Sequence, residues 1–320
     1  MVDPSSPPSV LRGLVDSATV SGYRIGSLLS KTVPSALTGP LGSVLGLPAS
    51  VSMRSRRSMV ERHMRRLHPK ARSWEIRRLT QAVFDSYARY YVESFRLPAL
   101  SKRQVASAFS VEGYDEHLMS ALERGNGAIL ALPHLGGWEW AGRWAADNGQ
   151  RLAVVVEPLE PVELFEWFAD LRRQFGMKVI PLGPDAGSEC LKALRNNEVL
   201  CLLSDRDLTG TGAPVDFFGE RTTLPAGPAT LALRCGSALL PTAVYFSNRT
   251  SGHHAIIRPP IECSRQGRLR EDVNRITQVL AGELESLIRR APEQWHLLQP
   301  NWPSDPGHAL FIERNAQRFQ

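Results

Sequence analysis

Gly127-Ala128-Ile129-Leu130-Ala131-Leu132-Pro133-His134-Leu135-Gly136-Gly137-Trp138-Glu139 is a short apolar run, bounded by glycine and proline, that delivers a histidine to its end. Such a run reads as a buried strand, and the two glycines before Trp138 read as a turn into a helix. On one unbroken helix His134 and Glu139 would lie roughly 140° apart, because each residue turns the chain by about 100°. The Gly136-Gly137 pair lets the backbone fold back, so that Glu139, near the start of a helix expected over 138–147, comes within reach of the imidazole. The spacing by itself is weak, since 8 histidines and 32 acids in 320 residues give about one such match by chance. A second match, His308 and Glu313, has no strand or glycine turn around it and reads as structural. A polar residue that merely closes a strand and bonds to the next helix would look the same as His134.

Outward from this stretch the pattern alternates. Strands are expected at 129–132, 152–156, 178–182, 199–203, 239–246 and 254–258, with helices at 138–147, 161–175, 186–195, 227–235 and 271–290. Alternation of this kind predicts an α/β domain with a largely parallel central sheet flanked by helices. Upstream, helices are expected over 114–124 and 74–95, the second burying Ile76, Leu79, Val83, Phe84, Tyr87, Tyr91 and Val92.

The first 73 residues have a different character. Apolar residues at helical spacing predict an amphipathic helix over 10–33. Residues 32–53 carry no charge and are numerous enough to span a bilayer, but Pro34, Pro40 and Pro48, with Gly39, Gly42 and Gly46, break any single helix. Short helices at a lipid interface or packed on the main domain are expected instead. Residues 54–78 hold ten bases against Glu61 and Glu75, with Met59, Val60, Met64 and Leu67 between them. This is the pattern of a membrane-surface or anion-binding helix, or equally of a solvated basic face. The chain thus divides into a helical, membrane-associating region (1–73), an α/β domain (74–302) and a C-terminal tail or helix (303–320).

A hydrophobic content of 42% is enough for one large core or two modest ones, and a net charge of +6 favours anionic partners such as phospholipid, nucleotides or nucleic acid. Cys190, Cys201, Cys235 and Cys263 form no Cys-x2-Cys pair, so reduced thiols and no zinc site are expected. The N-terminus lacks a basic segment leading into an apolar core and does not read as a signal peptide.

Three ionisable residues share one topological address. His134 follows the first predicted strand, Glu157 the second and Asp205 the fourth. Ligands of open α/β sheets bind outside the carboxyl ends of strands, so these three ends predict one cleft, although each acid could instead cap the helix that follows. There is no Gly-x-Ser-x-Gly elbow, phosphate-binding glycine loop or His-Glu-x-x-His. What remains is a histidine and carboxylate pair able to deprotonate a substrate hydroxyl directly. A dyad without a nucleophile suits acyl transfer from a thioester to an alcohol, because the thiol leaves readily. Asp205-Arg206-Asp207 also matches the Asp-x-Asp triplet of metal-dependent glycosyltransferases, the competing reading.

The residues then carry a resemblance. His134-Leu-Gly-Gly-Trp-Glu139 resembles the His-x4-Asp/Glu signature of glycerolipid acyltransferases in the setting found among late lipid A acyltransferases. Further stretches, among them Asp205-Arg206-Asp207-Leu208-Thr209, Val215-Asp216-Phe217-Phe218-Gly219, Pro225-x-Gly227-Pro228-Ala229 and Trp295-His296-Leu297-Leu298-Gln299-Pro300-x-Trp302, are most similar to the actinobacterial phosphatidylinositol mannoside acyltransferases. This ordered set spans about residues 75 to 302. It implies a hydrophobic groove for an acyl chain, acyl-CoA as co-substrate with no other cofactor, a glycolipid acceptor, an anionic membrane surface at the cytoplasmic face and no nucleic acid. By the same resemblance His134 is the base and Glu139 its partner, Glu157 binds the acceptor sugar, Arg172 pairs with acids of the site, and Asp205 and Arg206 belong to the substrate site. Glu139 stands where this branch usually has aspartate, and Asp205 where it has glutamate.

Overall fold

The computed structural model describes residues 32–34, 37–158, 162–247 and 252–318. The helix expected over 10–33 lies, but for its last two residues, outside these. In chain order the elements are α1 (Thr38–Ser52), α2 (Arg54–Leu67), α3 (Ser73–Arg96), α4 (Lys102–Ser107), β1 (Phe109–Glu112), a π-turn (Tyr114–Met119) leading into α5 (Ser120–Glu123), β2 (Ala128–Leu132), α6 (Trp138–Asp147), β3 (Leu152–Val156), α7 (Val162–Gln174), β4 (Lys178–Pro181), α8 (Ala186–Arg195), β5 (Val199–Leu203), β6 (Ala213–Phe217), β7 (Glu220–Leu224), α9 (Gly227–Cys235), β8 (Ala238–Phe246), β9 (His253–Ile257), α10 (Leu269–Arg289) and α11 (His308–Arg318).

Seven strands form one sheet in the order β1-β9-β8-β2-β5-β3-β4. The five from β8 to β4 are parallel; β9 pairs antiparallel with β8, and β1 parallel with β9, so the last two run the other way. The α/β architecture with a mostly parallel sheet is therefore as expected. Two pieces were not legible. β1 is only four residues long. The β6–β7 hairpin turns at Phe218-Gly219, both at positive φ, the geometry of a type I′ turn in which phenylalanine replaces the usual asparagine.

Successive side chains of a strand face opposite sides of the sheet, and here the two sides differ in kind. On one, Ile129, Ala131, Ala153, Leu200 and Leu202 join the main core with Leu194 of α8, Ala232 of α9 and Ile276, Leu280 and Leu284 of α10. On the other, Leu130, Leu132, Val154, Val156, Cys201 and Leu203 line a cavity also walled by residues of α3 and α6.

The N-terminal helices correct two expectations. The prolines do not break α1, which is continuous over 15 residues with Pro48 inside. Pro40 sits in its first turn, where a backbone N–H has no helical partner to lose. Gly42 and Gly46 lie so close to Asp85 and Arg89 of α3 that a Cβ at either would collide, so packing holds the helix across Pro48. No helix among the described residues is long and apolar enough to cross a membrane. Nor is α2 simply a solvated basic face. Met59, Val60, His63, Met64 and Leu67 are buried, Arg57 donates to Ser50 and to Gln81, and Arg66 donates to Glu220 and Asp305 while lying 3.9 Å over the Trp302 ring.

Candidate active site

The pairing of β2 with β5 sets the site. Leu132 is in register with Leu203, and the Ser204 amide donates to the Leu132 carbonyl at 2.7 Å, extending the ladder one step beyond the strands. Two residues further along each chain, His134 and Asp205 face each other. His134 Nδ1 lies 2.6 Å from Asp205 Oδ1, and the His134 amide donates to Oδ2 at 3.0 Å. Trp295 Nε1 donates to the same Oδ2 at 2.7 Å, and Asn301 Nδ2 to the Asp205 carbonyl at 3.0 Å. The carboxylate is fully buried, whereas the imidazole is 21% exposed and faces the cavity. Burial alone would raise the pKa of Asp205. The His134 imidazole, with the bonds from Trp295 and the His134 amide, outweighs burial and holds it below the usual carboxylate range.

With Nδ1–H committed to Asp205, the lone pair of a neutral imidazole is on Nε2. The geometry thus meets the requirements for a general base: a fixed tautomer, a buried counter-charge and an open second nitrogen.

The acid on the imidazole is therefore Asp205, not Glu139 as the spacing predicted. No hydrogen bond or ion pair joins Glu139 to His134 among the described residues. Glu139 instead accepts from Arg172 Nε at 3.2 Å, from Arg172 Nη2 and from the Tyr90 hydroxyl at 3.2 Å. The cause is the turn. Gly136 has a φ of +60°, a Cβ there would overlap the Val244 carbonyl, and its amide is tied to the Gln294 carbonyl at 3.0 Å. This entry angle aims the first turn of α6 at α3 and α7. In the resulting pair Glu139 is buried and Arg172 largely so. Burial, followed by the Glu139 charge, pushes the Tyr90 phenol well above its usual value, which keeps it a donor.

Glu157 and Arg206 line the same cavity as His134, and they pair with each other at 2.7 Å. Arg206 Nε is buried without a hydrogen-bond partner, and its guanidinium lies 6.0 Å from the Phe311 ring of α11. Within the stretch expected as a tail or helix (303–320), α11 thus lies beside Arg206. Asp207 accepts from the Thr209 and Gly212 amides. Its carboxylate and that of Asp205 are engaged by different partners, unlike two ligands of one metal.

Sequence reasoning gave no role to the residues that brace the site from behind. Leu135 forms a β-bridge with Trp295, and the His296 amide donates to the His134 carbonyl at 2.7 Å. His296 Nε2 lies 2.9 Å from Ser86 Oγ, and burial, with His134 nearby, lowers its pKa to about 3, so it is neutral. A Trp-His pair following the last long helix was the available signal, because a buried indole N–H needs an acceptor. Cys201 also faces the cavity, but burial pushes its thiol up to about 12, the opposite of what a nucleophile needs.

Beyond His134 the cavity is apolar. Its walls come from alternate residues of β2, β3 and β5, from Val244, Ala255 and Ile257, and from Trp138, Ala141 and Trp144 of α6. The lining reaches from His134 down to Leu152 of β3, which through Val199 lies level with Ala128; six residues of extended chain cover that distance in roughly 20 Å.

Residues 14–304 match the family model of the bacterial lipid A biosynthesis acyltransferases. The phosphatidylinositol mannoside acyltransferase of Mycobacterium tuberculosis (strain H37Rv) is 43% identical over 240 residues, 74% of this chain and 72% of that protein. The protein of the same name from Mycolicibacterium smegmatis is 38% identical over 300 residues, 92% of this chain and 94% of the relative. The matched span includes His134, Asp205 and Trp295, and the chain belongs to the bacterial lipid A biosynthesis acyltransferase family.

Proposed function

We propose that this acyltransferase moves a long acyl group from an acyl-CoA thioester to a hydroxyl of a mannosylated phosphatidylinositol, with His134 as general base oriented by Asp205. The observation that carries the reading is the His134–Asp205 pair at the mouth of a deep apolar cavity. His134 Nε2 takes the proton of the acceptor hydroxyl as its oxygen bonds to the thioester carbonyl carbon. Collapse of the tetrahedral intermediate breaks the carbon–sulfur bond, and the imidazolium returns the proton to the departing thiolate. The Trp140 amide donates to the Gly137 carbonyl at 3.0 Å, which leaves the Trp138 and Glu139 amides at the start of α6 as candidates to stabilise the oxyanion. Glu139, Arg172 and Tyr90 hold that turn in place.

The cavity supports a long-chain donor. One leaflet of a bilayer's hydrocarbon core is about 15 Å thick, so about 20 Å of apolar wall suits a chain of membrane-lipid length. The acceptor is drawn from the names of the mycobacterial relatives, and Glu157, held by Arg206 in the cavity that His134 lines, has acceptor capacity left for sugar hydroxyls. An acyl carrier protein as donor, or another glycolipid as acceptor, is the alternative within the same chemistry. We place the protein on the cytoplasmic face of a membrane, where CoA thioesters occur. Val44, Leu45, Leu47 and Val51 of α1 are exposed, α1 carries no charge, and the exposed Arg54 and Arg56 follow directly. That combination fits an anionic lipid surface.

The test is thioester consumption with a panel of mannosylated and other glycolipids, read as CoA thiol release and product mass. Activity should require His134 and survive EDTA. A folded His134→Ala variant with near wild-type turnover would refute the assignment, as would metal-dependent consumption of a sugar nucleotide without thiol release.

A further inference from the structure

The far end of the cavity is closed by a thin partition. Val111, Tyr114 and Trp144 line the cavity from inside, and the same three residues line a second hollow on the other side, beside Gly113, Asp115, Glu116 and Asn148. The Tyr114 ring stands edge-on to Trp144 with centroids 5.1 Å apart, and its hydroxyl accepts from Gln150 Nε2 at 2.8 Å. Trp144 packs in turn on Phe109, centroids 4.8 Å apart.

The backbone carrying Tyr114 is unusual. The sequence predicts an ordinary helix over 114–124, yet residues 114–119 form a π-turn, a rare geometry that recurs at functional positions. Gly113, which enters it at a φ of +75°, is pressed against the end of β9, where a Cβ would overlap the Ile257 carbonyl. The start of the turn is thereby seated against the end of β9, and the Tyr114 ring is held by Trp144 and Gln150.

Resting on the acyl-transfer reading, we infer that Tyr114 is the stop that limits the length of the acyl chain. A straight chain seated with its carbonyl at His134 runs down the Leu130, Val154 and Cys201 face and meets this ring. Past it lie the exposed Asp115 and Glu116 carboxylates, so a methyl end pushed through would trade apolar walls for water and charge. Each methylene kept inside the cavity is worth about a fourfold gain in affinity, and one beyond the ring gains nothing. Donor preference should therefore climb with chain length and then stop.

The experiment compares saturated acyl-CoA donors of increasing length on the wild type, Tyr114→Ala, Tyr114→Phe and Ala145→Leu. In parallel, thermal stabilisation by the free fatty acids of the same lengths reads binding without catalysis. Tyr114→Ala should move the cut-off to longer chains, by up to about fourfold per added methylene. Tyr114→Phe keeps the ring and should keep the cut-off, whereas Ala145→Leu, adding volume beside Trp144, should shorten it. Wild-type cut-offs in both Tyr114→Ala and Ala145→Leu overturn the inference. Should Tyr114→Ala fail to fold, Ala145→Leu and a Tyr114→Leu variant decide. A wild type that consumes no thioester, yet binds fatty acids with a cut-off that the variants move, sinks the acyl-transfer reading and leaves the stop standing.

Discussion

Asp205→Asn separates the two acids that could serve His134. Asp205 accepts three donors, His134 Nδ1, the His134 amide and Trp295 Nε1, and an asparagine amide has only one acceptor oxygen. If that oxygen faces the Trp295 indole, the amide NH₂ faces His134 Nδ1 and forces the tautomer whose Nε2 carries the proton. If it faces Nδ1, the NH₂ opposes two N–H donors. In either case the charge that stabilises imidazolium is gone. With charge centres about 4 Å apart and an effective dielectric of about 20, that attraction is about 4 kcal/mol. Each 1.4 kcal/mol is about tenfold in rate, so kcat should fall about a thousandfold, within the ~10²–10⁴-fold typical of general-base catalysis. The assay is CoA thiol release across pH, with the folded fraction checked by circular dichroism. Turnover of folded Asp205→Asn within tenfold of wild type, with an unchanged pH profile, would refute this assignment of the acid.

Glu139→Gln leaves Arg172 without its buried counter-charge; breaking such a pair costs about 3–5 kcal/mol, so a lower midpoint in chemical denaturation should accompany whatever activity is lost. In the acid range two groups act in the same direction. Burial would raise Glu93, but the His253 and Arg89 charges prevail and hold it at about 2, below its ordinary 4.5; the stability it contributes is complete above 4.5 and is lost as pH falls towards 2. His296, lowered from 6.5 to about 3, stays neutral while the unfolded chain takes up a proton, so stability also declines between pH 6.5 and 3; denaturation midpoints of Glu93→Gln and His296→Gln across this range should show shallower acid limbs. At the membrane, Val44→Ser, Leu47→Ser and Val51→Ser together should release the protein from anionic vesicles in flotation. Arg66→Gln, which breaks contacts to Asp305 and Trp302, should instead lower the melting temperature and leave flotation unchanged.

The strands that build the site were legible because they are short apolar runs between turn residues, and each ends in an ionisable side chain. Their order was not, because adjacency of β2 and β5 depends on which faces pack on α8, α9 and α10. That adjacency decides the partner of His134. Glu139 is five residues away in sequence and was the nearer guess, whereas Asp205 is 71 residues away and one strand over. Which bases of α2 serve the fold was hidden for a related reason, since Arg57 and Arg66 look like surface charge until Gln81 and Asp305 are brought beside them. The prolines of α1 overstated its weakness, because local propensity takes no account of two glycines seated against a neighbouring helix. β1 and the Phe218-Gly219 hairpin lacked any strong local signal.

The indole that anchors Asp205 lies 90 residues further along the chain, and this has a consequence for biosynthesis. During translation the sheet strands that carry His134 and Asp205 leave the ribosome well before Trp295. A nascent chain can therefore have its pocket roughly formed while the Asp205 carboxylate still lacks its Trp295 donor and the His134 loop its Leu135–Trp295 bridge. The surroundings of the His134–Asp205 pair are therefore completed only when Trp295 emerges, well after the strands that carry the pair.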